Sequence, residues 1–183
     1  AGSAVIKKNT RAVNRIAASS LKPRKYAQLL FRMVNYYKPK NIVELGTSFG
    51  ITTAYLASGN QAAAVFTLEG SSAIACIAKR NFEKLQLDNA RLLQGNFEET
   101  LPSVLLSVKN IDFVFIDGNH RMEPTLAYFN QLVSISTNST ILILDDIHWS
   151  KEMEEAWHQV KQHPAVTLTI DLFFIGIVCI NSN

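Results

Sequence analysis

The chain has 183 residues, 48% apolar and 18% charged, which is the balance of a folded domain with a buried core and excludes a disordered or collagen-like chain. Two cysteines, Cys76 and Cys179, make neither a disulfide framework nor a metal finger, so a single domain in a reducing cytoplasm fits best. No apolar run has bilayer length, and the opening Ala1-Gly2-Ser3 reads as an expression remnant without a signal core.

Charge is uneven along the chain. Ten Lys and Arg residues, from Lys7 to Lys40, lie in residues 1–40 without one acid, and all fifteen acids share the rest with eight basic residues. Such a segment meets an anionic substrate, nucleic acid or an acidic partner, or else it is a solvated helix face or a contact between two copies in a homodimer. The bland pair of readings is the better one, because basic runs are common and unspecific.

In chain order, a weak helix is expected over 10–19 and a stronger one over 23–37. In the second, Tyr26, Leu29, Leu30, Met33, Val34 and Tyr37 form one apolar stripe, and Lys38-Pro39-Lys40 stops it. Strands and helices then alternate. Strands are expected over 41–45, 63–68, 90–94, 111–116 and 140–144, with helices over 50–57, 71–87, 98–108, 124–136 and from a Ser150 cap onward. The strands are continuous apolar runs (IDFVFI, TILIL), as when helices cover both faces of a parallel sheet. The last two, 166–170 and 174–180, are too close in sequence for a crossover and must pair antiparallel. The domain therefore reads as 1–38, an N-terminal helical segment, and 39–183, a cofactor-binding core.

Ligands of open α/β sheets sit beyond the carboxyl ends of the strands. After the first strand comes Glu44-Leu45-Gly46-Thr47-Ser48-Phe49-Gly50. Gly46 and Gly50 permit a tight turn and close approach, the following helix aims N–H groups at an anionic group, and Glu44 is placed to attract an ammonium. The competing reading is an ordinary βα turn. Glu69 ends the second strand, where an acid accepts hydrogen bonds from both ribose hydroxyls. The third glycine of a dinucleotide fingerprint is missing, its place taken by Ile51. After the third strand, Gly95, Asn96 and Phe97 are placed to read an adenine edge and face, with plain core packing the equal alternative for Phe97.

Asp117-Gly118-Asn119-His120 and Asp145-Asp146-Ile147-His148 follow the fourth and fifth strands. With strands about 4.8 Å apart, these acids converge if the strands are neighbours. Either Asp117, Asp145 and Asp146 hold Mg²⁺ or another divalent cation, or the acids cap backbone N–H groups without a metal. His120, three residues past Asp117, is the first choice of general base, because imidazole takes a proton near neutrality; His148 is the second.

These residues resemble class I S-adenosylmethionine-dependent methyltransferases, within them the small O-methyltransferase group that includes the catechol and caffeoyl-CoA enzymes. VELGTSFGITTAYLA resembles the group's first motif, TLEG the ribose motif, LLQGNFEETLP the adenine-side motif with Phe97 and Glu98, and IDFVFIDGNH and ILILDDIHW the fourth and fifth. The resemblance runs from about Lys38 to Ile180. It implies a doubly wound Rossmann-like seven-stranded sheet, order 3-2-1-4-5-7-6, the last strand antiparallel, preceded by N-terminal helices. It also implies S-adenosylmethionine as cofactor, a small-molecule acceptor and transfer to a hydroxyl. Two positions depart from the group's metal-dependent pattern: Asp146 stands for its usual Asn and His120 for its Lys. The rival readings are an RNA methyltransferase clamping nucleic acid with the basic segment, a cofactor-binding module without activity, and, last, a NAD-dependent oxidoreductase.

Overall fold

The computed structural model describes residues 23–181. They form α1 (Arg24–Tyr37), β1 (Asn41–Leu45), α2 (Ile51–Gly59), β2 (Ala64–Glu69), α3 (Ser72–Leu85), β3 (Ala90–Gln94), α4 (Phe97–Ser107), β4 (Ile111–Ile116), α5 (Met122–Val133), β5 (Ser136–Asp145), α6 (Lys151–Gln162), β6 (Val166–Asp171) and β7 (Ile175–Ile180). The helix expected over 10–19 lies outside the described residues. Among the described residues no helix is long and apolar enough to cross a membrane.

One sheet carries all seven strands in the order β3-β2-β1-β4-β5-β7-β6, as the resemblance implies. The pairs among β1 to β5 are parallel, and β7 runs antiparallel to both β5 and β6. Strand order therefore reverses between β1 and β4, which opens a crevice at their carboxyl ends. In register, Leu45 stands beside both Leu68 and Ile116, and Ile116 beside Leu144. The residues that follow β1, β2, β4 and β5 are thereby delivered to one end of the sheet.

Successive strand residues enter opposite cores, since side chains alternate across a pleated strand. Val43, Val114, Leu142 and Val178 pack with Leu101, Phe129, Trp157 and Val160 of α4, α5 and α6. Ile42, Phe113, Phe115, Ile141 and Ile143 pack with Tyr26, Leu30, Val34 and Leu56 of α1 and α2. Both faces of the central strands are thus buried, which is why these strands read as unbroken apolar runs. β3, at the edge, has no fully buried residue.

Polar fixtures set the loops. Asp112 Oδ2 accepts from the Lys40 and Asn41 N–H groups at 2.8 and 2.9 Å, tying the start of β1 to β4. Lys38 ends α1 in a left-handed conformation (φ 49°), its N–H bonded to the Val34 carbonyl. Ser150 caps α6, its hydroxyl accepting from the Met153 N–H at 3.2 Å.

Several boundaries differ from the sequence reading, among them those of α5, β5 and β2. α5 starts two residues earlier, at Met122, and stops at Val133. β5 then begins at Ser136 instead of Thr140, with an irregularity between Ile111/Ser136 and Phe113/Ile141. The polar stretch Ser136–Ser139 carries no apolar alternation, so only pairing to β4 marks it as strand. β2 is shifted by one residue, to Ala64–Glu69, and so includes Glu69.

Phe113 is fully buried between Ile42 and Ile141. Phe113→Ala should cost about 3–5 kcal/mol of stability, read as a lower urea midpoint at unchanged slope.

Candidate functional site

The turn after β1 is built by its own packing. Gly46 has φ 105°, and a Cβ on it would lie 2.0 Å from the Asp117 carbonyl oxygen. The N–H groups of Gly46 and Thr47 both bond the Leu68 carbonyl, at 2.9 and 3.0 Å, and the Asp117 N–H bonds the Leu45 carbonyl at 2.8 Å. Gly50 (φ 77°) would press a Cβ to 2.3 Å from the Phe82 ring. Both glycines thus answer to the chain's own packing, before any ligand is considered. Ser48 adopts φ 48° at the turn's tip, a strained conformation for a residue with a Cβ.

Glu44 lies wholly inside the protein. Its Oε2 accepts from the hydroxyls of Thr53 (α2) and, at 2.6 Å, Thr67 (β2), while Oε1 is buried without a hydrogen-bond partner. Thr67 also bonds Thr47 at 2.6 Å. Burial pushes the Glu44 carboxyl up to about 8; the two threonine hydroxyls oppose this, and the charges of Asp117 and Glu69 add to it. Near neutrality Glu44 is therefore mostly an uncharged strut joining β1, β2 and α2.

Glu69 ends β2 with 8% of its surface exposed. Its Oε2 accepts the Ser48 N–H at 3.0 Å and its Oε1 the Ser71 N–H at 2.9 Å. The carboxylate is thus aimed by two backbone donors, and each oxygen keeps a second lone pair. The structure brings Glu69 against the turn of Gly46, Thr47 and Ser48.

Beyond β3, the Gly95 N–H bonds the Glu69 carbonyl at 3.0 Å, and Asn96, exposed, caps α4 with its backbone. Phe97 is half-buried. Its ring meets Tyr128 edge-on at 5.7 Å and lies where a Cβ on Gly118 would be, 2.6 Å away. Packing thus accounts for one side of this ring. Glu98 accepts the Tyr128 hydroxyl at 2.8 Å, and Asn119 donates to the same hydroxyl at 3.2 Å. Tyr128 and Asn119 were not singled out from sequence. The available signal was a tyrosine on the apolar stripe of α5, whose hydroxyl needs a partner once buried.

Asp117, His120 and Asp145 offer ligand atoms all within 4.8 Å of one another. His120 Nε2 lies 3.5 Å from Asp117 Oδ1 and 3.7 Å from Asp146 Oδ2. The expected convergence of strand-end acids is present, but a histidine stands among them. The donor set that closes most tightly contains a nitrogen, not oxygens alone, which favours a transition-metal ion over Mg²⁺ if a cation is held there.

His148 is placed differently. Its Nε2 lies 2.9 Å from Asp171 Oδ2, its Nδ1 3.5 Å from Glu154 Oε1, and its ring 5.5 Å from that of Phe173. Burial pushes the Asp171 carboxyl up, but the Phe173 N–H, His148 and the Trp157 indole together hold it below its usual range.

Glu44 generates a pH prediction. Between its ordinary value of 4.5 and about 8, the unfolded chain gives up this proton while the folded chain keeps it. The unfolded state then binds fewer protons, so stability falls as pH rises through that window and levels above it. Glu44→Gln keeps the acceptor for both threonines and carries no charge. It should match the parent chain near pH 5 and exceed it near pH 9 by on the order of a few kcal/mol, seen as a thermal midpoint less sensitive to alkali. Parallel midpoint-versus-pH curves for the two chains would refute the assignment.

The chain matches the family model described as "Methyltransferase domain" over residues 43–147, from β1 through the turn after β5. No curated protein matches it. Among solved structures it is similar to an O-methyltransferase from Bacillus cereus in complex with SAH, at 23% identity and a TM-score of 0.76, covering 96% of this chain and 93% of that one. It is likewise similar to TomG, an O-methyltransferase from Streptomyces achromogenes involved in tomaymycin synthesis and in complex with SAM, at 15% identity and a TM-score of 0.79, covering 97% and 93%. The SAH-bound methyltransferase PaMTH1 from Podospora anserina gives 17% identity and a TM-score of 0.79, covering 90% and 82%. At these identities the structural likeness establishes the shared fold, while the sequence match spans more than half of the chain and includes every strand end of the crevice from β1 to β5. The chain belongs to the methyltransferase-domain family.

Proposed function

We propose that the chain transfers a methyl group from S-adenosylmethionine to a hydroxyl oxygen of a small molecule. The observation that carries this reading is the crevice where the strand order reverses. On one side of it a backbone-held carboxylate, Glu69, stands beside the Ser48 turn; on the other, His120 sits among Asp117, Asp145 and Asp146. The solved relatives that hold SAH or SAM support the choice of cofactor.

When bound, S-adenosylmethionine supplies an electrophilic methyl group on a positively charged sulfur. Glu69 would use its second lone pairs to accept both ribose hydroxyls, and the N-terminus of α2 would receive the carboxylate. Asn96 and Phe97 would meet the adenine. His120 Nε2 would take the proton that the acceptor's hydroxyl gives up on methylation. Asp117 and Asp146 stabilise the imidazolium that results. Much of the acceleration comes from holding the acceptor oxygen in line with the methyl group. A divalent cation, where one is used, would be held by Asp117, Asp145 and either His120 or Asp146, and would supply Lewis acidity to the acceptor oxygen. With His120 as a ligand, that nitrogen is no longer the base.

Two measurements test this. S-adenosylhomocysteine should bind the full chain by calorimetry, and Glu69→Ala should weaken it at least about tenfold, the scale of hydrogen bonds to a charged group. Gly46 variants are a poor probe, because a side chain there collides with the Asp117 backbone. Equal affinity in the parent and Glu69→Ala would defeat the site. Across phenolic, aliphatic and sugar hydroxyl acceptors, His120→Ala should slow turnover by roughly 10²–10⁴ in the presence of a chelator. Turnover abolished in the parent chain by the chelator alone would assign the cluster to a metal instead.

A further inference from the structure

His148 stands apart from the base and the acid cluster, yet its contacts lead back to them. It lies in the turn after β5, closed by the Trp149 N–H on the Asp146 carbonyl at 2.9 Å. Asp146, the first residue of that turn, takes a left-handed φ of 53° and turns its carboxylate to 3.7 Å from His120 Nε2. Opposite the turn stands the tip of the β6–β7 hairpin. In register Asp145 pairs with Ile175 and Asp171 with Gly176, so the tip projects past the carboxyl end of β5, at the same end of the sheet as the site.

Asp171 is the fixed point on the hairpin. Its Oδ1 accepts the Phe173 N–H at 2.8 Å, and its Oδ2 accepts the Trp157 indole N–H at 3.1 Å and faces His148 Nε2 at 2.9 Å. Trp157 is 2% exposed and packs so closely on Gly176 that a Cβ there would lie 2.6 Å from its ring. The indole therefore cannot yield, and it holds Asp171 in place. Glu154 of α6 faces the second nitrogen of His148 at 3.5 Å. An isolated surface pair of this kind is worth little. Here, however, one partner is anchored to a buried indole and the other sits inside a four-residue turn. Both ring nitrogens are engaged by acids, so neither is directed to an acceptor.

Resting on the reading of His120 as base, we infer that His148 is a positioning residue: bridged to Asp171 and Glu154, it fixes the turn of residues 146–149 to the end of β6 and so holds the Asp146 carboxylate against His120. The order of contacts is Trp157 to Asp171, Asp171 to His148, His148 through its turn to Asp146, and Asp146 to His120. His148 acts through Asp146 and does not touch the reacting atoms.

The test is a spectroscopic comparison at one fixed pH on the full chain, labelled with ¹⁵N at its histidines. His148→Ala and Asp171→Ala should both shift the ring nitrogen signals of His120, in the same direction and by a similar amount as Asp146→Ala. His148→Gln, which keeps a side-chain donor toward Asp171, should leave them at the parent positions. Combining His148→Ala with Asp146→Ala should add no further shift. Unmoved His120 signals in His148→Ala overturn the inference. So does a His148→Gln spectrum identical to that of His148→Ala, which would assign the effect to ring packing on Phe173. Calorimetry with S-adenosylhomocysteine is run on the same samples. Failure of the parent chain to bind overturns the methyltransferase reading, whereas the resonance shifts report on the Asp146–His120 geometry whatever that result.

Discussion

The contact on which the rest depends is the meeting of Gly46 with the backbone at Asp117. The first turn of the crevice and the segment after β4 approach so closely that one methyl group would overlap a carbonyl oxygen, at 2.0 Å. Nothing larger than hydrogen fits there. This approach sets the separation between the half of the crevice that carries Glu69 and the half that carries His120. A side chain at Gly46 would force the two halves apart, so its cost falls on the fold before it falls on binding.

Five acids stand near this junction, and the structure handles each differently. Glu44 is taken out of water and left mostly protonated, so its charge burdens neither β1 nor its neighbours. Glu69 is held by two backbone N–H groups. Asp117, Asp145 and Asp146 surround a single imidazole or stand within reach of it. Among the described residues His120 stands close to this last set, and it carries positive charge only while it holds a proton. Proton transfer from an acceptor would therefore deliver charge to the place already arranged to receive it.

The sheet was legible because the central strands bury both faces, and the apolar runs IDFVFI and TILIL have no other explanation in a chain of this composition. The close spacing of the last two strands dictated their antiparallel pairing. Glu69 and the Asp117 and Asp145 groups could be placed because acids immediately after apolar runs must emerge at strand ends. What could not be read were contacts between segments far apart in sequence. Nothing local to Glu44 says that Thr53 and Thr67 will take one of its oxygens and leave the other bare. Nothing local to His148 points to Asp171, twenty-three residues on. The same holds for Tyr128, whose hydroxyl joins Glu98 to Asn119. The start of β5 was missed for a related reason. Ser136–Ser139 is polar, and only its pairing to β4 makes it strand.

The two departures from the metal-dependent O-methyltransferase pattern explain one another. In that pattern a lysine three residues past the first Asp brings a permanent positive charge, and an Asn follows the second Asp. Here the permanent charge is gone, because His120 is cationic only when protonated, and the neutral amide has become the carboxylate of Asp146, 3.7 Å from the imidazole. A third acid beside a lysine and a metal would add little that those charges do not already supply. Beside His120 acting as the proposed base, it would stabilise the imidazolium formed on proton transfer. On the proposed reading of His120 as base, the pair would suit a site whose positive charge arrives with the substrate's proton. On the same reading, the His148 bridge would keep that carboxylate in position before the proton arrives.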